Sequence, residues 1–139
     1  MVYHLTRTVK QQGGKMKFDE STPIYLQIKS EIEKAIIFGS LEEESAVPSI
    51  RIMAKQYRLN PQTISNAINE LINDGILFKK RGIGMFVEKG AQKKLKTVTY
   101  EKFVAEELQK FIIKSKSLGI TKNELLNLLE GFYEKGGGK

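Results

Sequence analysis

The stretch VPSIRIMAKQYRLNPQTISNAINEL, Val47–Leu71, decides the fold. Ser49 is a capping candidate for a helix whose buried face is Ile50, Met53, Ala54 and Tyr57. A short joint, Arg58-Leu59-Asn60, separates it from the next helix. There Asn60 is a strong N-cap, and Pro61 sits at the first helical position, where its missing N–H is not needed. Ile64, Ala67, Ile68, Leu71 and Ile72 supply the inward face, so the opposite face shows Gln62, Thr63, Ser65, Asn66 and Asn69. Solvation alone favours Lys and Glu on such a face, since they are better helix formers than Ser, Thr or Asn. Amides and hydroxyls carry directional donors and acceptors, which suit hydrogen bonding to base edges in a major groove. The competing reading is a plain exposed helix of accidental composition, and the helix by itself does not decide between the two.

Downstream, Asn73-Asp74-Gly75 ends that helix. Ile76-Leu77-Phe78 and Met85-Phe86-Val87 then read as two short strands around a basic tip, Lys79-Lys80-Arg81-Gly82-Ile83-Gly84. Upstream, Ser21-Thr22-Pro23 opens a first helix with a hydroxyl cap candidate and Pro near the first turn. Its apolar stripe is Ile28, Ile32, Ala35 and Ile36, and Gly39 ends it. Glu42-Glu43-Glu44 follows as a solvated acidic loop. A cation site is the weaker reading, because three consecutive residues cannot face one point on a regular element. Helix, helix, helix, hairpin spells a winged helix-turn-helix. Arg51, in the first turn of the second helix, belongs to the surface that meets a DNA backbone or groove, with an ion pair to the acidic loop as the alternative. Arg81 can reach a phosphate or a minor groove, and Gly82 and Gly84 let the backbone approach closely. Gly-Ile-Gly is not a nucleotide loop, since no helix opens directly after it.

Beyond Thr97 the pattern changes. Tyr100, Phe103, Val104, Leu108, Phe111 and Ile112 make one helical stripe, and Thr121-x-x-Glu124 reads as a capping box opening another helix. That last helix carries Leu125, Leu126, Leu128, Leu129, Phe132 and Tyr133. Two helices are too few for an independent core and too apolar to stand alone. The same hairpin of a second chain supplies the missing surface most simply, with Phe103, Leu108, Phe111, Leu125, Leu129 and Phe132 as the expected interface.

The fold class expected is therefore mostly α with a small β-hairpin. A winged helix-turn-helix domain covers residues 18–90, and a C-terminal two-helix dimerisation hairpin covers residues 97–135. Residues 1–17, with Met16 as a candidate start, and 136–139 read as disordered. Charge agrees with a nucleic-acid partner: the 139-residue chain carries a formal net charge of +7. The excess is local. Residues 79–96 hold seven basic side chains against Glu88, whereas residues 18–46 hold two basic against seven acidic.

Composition also excludes. With no cysteine there is no disulfide framework, zinc ribbon or thiol chemistry. The single histidine, His4, lies in the N-terminal tail, away from any candidate base or metal site. No nucleophile stands near a base and no carboxylate pair occupies a cleft, so neither an enzyme nor a cofactor or metal is expected. No apolar run approaches a membrane span and no signal peptide is present, so a cytoplasmic location is expected. A second reading, a winged module for non-specific nucleic-acid binding or protein docking, accounts for the basic block but not for the amide-rich helix.

Gly39-x-Leu41, Val47-Pro48-Ser49-Ile50-Arg51, Asn60-x-x-Thr63-Ile64-x-x-Ala67-x-x-x-Leu71, Asp74-Gly75-Ile76 and Arg81-Gly82-x-Gly84-x-Phe86-Val87 together resemble the GntR-type DNA-binding domain. The resemblance runs over roughly residues 22–90, and the short helical tail is similar to the YtrA subfamily. It implies a bacterial homodimeric repressor on a pseudopalindromic DNA operator, commonly beside ABC-transporter genes, without a large effector domain. Any small-molecule effector is left unknown. It also implies DNA contacts from Arg51, Asn60, Gln62, Thr63, Asn66, Arg81 and Gly82. The chain departs from the family pattern at Pro61 and Ser65, where Arg is frequent, so base preference should differ. Arg58 stands at the usual turn glycine, and Glu44-Ser45 replaces the loop's usual Gly-Asp.

Overall fold

The structure, a computed structural model, describes residues 18–135. The expectations for residues 1–17 and 136–139, His4 and Met16 included, lie outside them. The chain forms two compact units, one ending at Thr97 and the other beginning at Val98.

In the first unit, α1 spans Ile24–Ile37, α2 Ile50–Tyr57 and α3 Pro61–Asn73. Their apolar faces meet, and Ile28, Ile32, Ile36, Met53, Ile64, Ile68 and Leu71 are fully enclosed. Lys29 ties α1 to α3, with its Nζ 3.3 Å from Glu70 and 2.8 Å from Asp74. The start of α1 differs from the sequence expectation. Pro23 itself occupies the N-cap position, and no hydroxyl caps the helix. Ser21 instead bonds Asp19 through both its backbone N–H and its hydroxyl, while Gln27 reaches back to the Asp19 and Thr22 carbonyl oxygens. The two caps downstream form as read. Ser49 Oγ accepts the Ile52 N–H at 3.2 Å, and Asn60 Oδ1 accepts the Gln62 N–H at 2.8 Å.

The joint between α2 and α3 turns on Arg58, which is left-handed at φ 57°, ψ 47°. Its N–H bonds the Ala54 carbonyl, and the Leu59 N–H reaches the same oxygen at 3.0 Å. This is the glycine-type helix ending made by a residue that carries a Cβ.

The sheet has three strands rather than the two expected. β1 is Ala46–Val47, β2 Leu77–Lys80 and β3 Gly84–Val87, antiparallel in the order β1-β3-β2. Phe86 faces Ala46 on one side and Phe78 on the other. Lys79 and Lys80 belong to β2, so the wing tip is shorter than the sequence implied and consists of Arg81, Gly82 and Ile83. The period of two puts Leu77, Met85 and Val87 into the core. The outer face shows Phe78, whose ring centroid lies 5.7 Å from that of Phe86, and Lys80, whose Nζ lies 5.3 Å over the Phe86 ring.

The next helix, α4, spans Ala91–Lys102 and starts six residues before the expected boundary at Thr97. Ala91 and Leu95 bury in the first unit's core and hold its opening turns there.

In the second unit the chain widens into a π-helical segment over Phe103–Leu108, returns to α-helix in α5, Gln109–Ser117, and closes with α6, Lys122–Lys135. The widened turn brings Phe103 and Leu108, five residues apart, closer to one face than an α-helix would. The capping box forms: Thr121 Oγ1 accepts the Glu124 N–H at 3.1 Å, and Glu124 Oε1 accepts the Thr121 N–H at 3.2 Å. Among the described residues of this unit, no apolar side chain is fully buried. No helix among the described residues is long and apolar enough to cross a membrane.

Candidate nucleic-acid interface

The order of caps and apolar residues in α3 determines which side chains it offers outward. With Ile64, Ala67, Ile68 and Leu71 locked into the core, Gln62, Asn66 and Asn69 are exposed, and Thr63 and Ser65 lie half-buried at the margins of the same face. Gln62 Nε2 donates to Asn66 Oδ1 at 3.0 Å, one helical turn apart. This bond fixes the two amides in a common orientation. It leaves the Gln62 carbonyl oxygen with its second N–H, and the Asn66 amino group with a lone pair on Oδ1. Each amide therefore still has a free acceptor lone pair and a free N–H to offer a base edge.

Asn60 is committed differently. Its Oδ1 accepts the Gln62 N–H, so its side chain serves first as the cap that starts the helix, with its amino group and the second lone pair of Oδ1 left for DNA. Arg51 is exposed in the first turn of α2, and among the described residues no carboxylate pairs with it. The ion pair with the acidic loop is not made, and the guanidinium is left to a solvent-side partner. Arg81 and Gly82 are exposed at the wing tip, where Gly82 takes φ 77° and the Ile83 N–H closes the turn onto the Lys80 carbonyl at 2.9 Å. Nothing lies within 4 Å of the Cβ that Gly82 lacks, so the tip is open to approach. Beyond the Gln62–Asn66 bond and the Asn60 cap, the site residues make no side-chain bond to one another.

Lys80 sits differently from what the sequence implied. Counted only as part of a basic tip, it extends instead along the outer strand face over Phe86. The alternation Phe78-x-Lys80 opposite Gly84-x-Phe86 carried that information. The acidic loop also differs from a purely solvated one. Glu43 accepts the Gln92 backbone N–H at 3.0 Å at the start of α4. Among the described residues, no cluster of His, Cys, Asp or Glu is placed to hold a metal ion.

Comparison with known proteins agrees with this geometry. Residues 24–87 match the family described as "Bacterial regulatory proteins, gntR family". The HTH-type transcriptional regulator YhcF of Bacillus subtilis is 36% identical over 120 residues, 86% of this chain and 98% of that protein. The HTH-type transcriptional repressor YtrA of the same bacterium is 33% identical over 108 residues, 76% of this chain and 80% of its own length. Among solved structures, a GntR family transcriptional regulator from Listeria monocytogenes superposes with a TM-score of 0.68 at 29% identity, covering 82% of this chain and 98% of that one.

Proposed function

The chain belongs to the gntR family of bacterial regulatory proteins and is a DNA-binding transcriptional regulator, not an enzyme, and from that premise we propose that it acts as a homodimeric repressor on a pseudopalindromic operator. The observation that carries the reading is the Gln62–Asn66 amide pair, held by its own hydrogen bond on the exposed face of α3. An oriented pair of amides has donors and acceptors for base edges, whereas a face built only for solvation needs neither. Arg51, Arg81 and the open Gly82 turn supply phosphate or minor-groove contacts, which set register and contribute affinity without reading sequence.

Dimerisation is supported by the second unit. Phe103, Phe111, Leu129 and Phe132 retain 47%, 48%, 39% and 73% of their surface, and two helices with such exposed apolar residues gain by burying them against an identical copy. Leu108 and Leu125, half-buried, extend the same interface. A two-fold dimer presents its α3 helices to half-sites about one helical turn apart. Bound over a promoter, it excludes polymerase in the cytoplasm. The resemblance to YtrA makes ABC-transporter operons the first place to search for the operator.

In vitro selection of duplexes from a random pool at near-physiological salt tests this reading. Recovery of an inverted repeat is expected. Enrichment without a motif would defeat sequence-specific repression and favour non-specific binding through the basic wing. Replacing Gln62 and Asn66 together by Ala should then lower discrimination at the cognate base pairs by about 1–3 kcal/mol. Unchanged preference in that double variant would remove α3 as the reader.

A further inference from the structure

The acidic loop and the start of α4 are joined by bonds that the base-reading surface does not use. Glu43 Oε2 accepts the Gln92 N–H at 3.0 Å, and Gln92 Nε2 donates to the Ile37 carbonyl oxygen at 2.9 Å. The first bond spans 49 residues of sequence and the second 55. Glu43 thus sits at the N-terminal end of α4, where helical N–H groups lack internal partners and a negative charge meets the positive end of the dipole. The backbone N–H groups of Gly90 and Gln92 hold its carboxyl below the usual carboxylate range. Gln92, meanwhile, satisfies a carbonyl in the last turn of α1. Burial of Ala91 and Leu95 fixes one side of α4, and these two bonds fix its end.

This arrangement is specific to the point at which the chain leaves the winged unit. The core packs through Ala91 and Leu95 without Glu43. Base reading is assigned to α3 and the wing, and neither Glu43 nor Gln92 belongs to either. What the two side chains add is a fixed start for the helix that continues into the second unit.

We propose that Glu43 and Gln92 are positioning residues for operator binding, fastening the first turn of α4 so that the two DNA-reading surfaces of a dimer are held at one spacing. The proposal rests on the homodimeric reading above. A second half-site adds affinity only to the extent that the tether between the two heads matches the distance between the sites. A loosened α4 lowers the effective concentration at the preferred spacing and spreads it over others. Binding to one isolated half-site does not use the tether.

The test uses the full chain as wild type, Glu43→Ala, Glu43→Gln and Gln92→Ala. Each is titrated against duplexes carrying one selected half-site, two at the selected spacing, and two at spacings changed by single base pairs. Glu43→Ala is expected to weaken binding to the complete operator by about tenfold, to leave the single half-site unchanged, and to flatten the spacing preference. Glu43→Gln, which retains an acceptor oxygen, should keep part of the preference, and Gln92→Ala should follow Glu43→Ala in direction. A parallel loss on half-site and complete operator would overturn the proposal, because a defect in folding alone does that. Wild-type behaviour of both Ala variants on every duplex would overturn it equally. If the wild type itself gains nothing from a second half-site, the homodimeric reading falls and takes the proposal with it. A gain in the wild type that persists in both Ala variants removes the positioning role alone.

Discussion

Arg58, like Glu44, is a non-glycine residue that the described backbone holds at positive φ. A non-glycine residue in the left-handed region costs roughly 1–2 kcal/mol, and Arg58 makes the sharp joint between α2 and α3 from that position. Arg58→Gly is expected to relieve the strain, offset in part by the greater freedom of glycine in the unfolded chain. The net gain should be below about 1 kcal/mol, read as a higher urea midpoint at unchanged slope. A lower midpoint would show that the Arg58 side chain stabilises the fold by more than its backbone strains it. At the proposed reading surface, Gln62 and Asn66 form one unit because their hydrogen bond orients each against the other. Single Ala variants should therefore each lose most of what the double variant loses, a non-additivity that a double-mutant cycle on operator binding detects. Arg51, free of any described carboxylate, belongs to another class. Arg51→Ala should weaken binding to all sequences and reduce the salt slope by about one. Altered specificity at unchanged affinity would place Arg51 on a base instead.

At the scale of elements, α4 provides the pH-sensitive contact. The Gly90 and Gln92 N–H groups hold the Glu43 carboxyl below its ordinary value. Its contribution is therefore fully present above the ordinary carboxylate range and is lost as pH falls through the depressed value. Amides in the first turn of α4 should lose exchange protection on acidification, following the Glu43 titration in NMR spectra, while amides in the enclosed half of α3 stay protected. Uniform loss across both helices would instead mean global acid unfolding. The same elements show what the sequence could and could not disclose. The α2–α3 pair was legible because caps and apolar spacing agree at Ser49, Asn60 and the Ile64-to-Leu71 face. β1 was not, because two residues are too few to show an alternation. The opening of α4 was hidden because only Ala91 and Leu95 mark its buried side among Gln and Lys. Lys79 and Lys80 read as turn residues, although a strand accepts Lys80 on its outer face and an exposed Lys79 on the other face at its end. The exposed amides followed from spacing alone; their mutual bond was not read, although a separation of four on a helix permits it. The Glu43–Gln92 bond had no local signal, since its partners are brought together only by the completed fold.

For the molecule as a whole, the contrast between the two units is the main constraint. The first encloses Ile28, Ile32, Ile64 and Leu71 completely, whereas the second leaves Phe103, Phe111 and Phe132 about half exposed or more. In the proposed dimer, stability of the second unit is inseparable from association, and association from concentration. Leu129→Asp places a carboxylate where the proposed interface must lose water, and an unpaired charge there costs several kcal/mol against dimerisation. Sedimentation should show a monomer at concentrations where the wild type is dimeric. Operator affinity should fall with it, because a monomer keeps the reading surface of α3 but forfeits the second half-site. The first unit carries its own core, so its chemical denaturation should be unchanged, and binding to a single half-site should survive. A Leu129→Asp protein that stays dimeric would place the interface elsewhere on the helices. One that becomes monomeric yet binds the complete operator at wild-type affinity would show that repression does not depend on two linked heads.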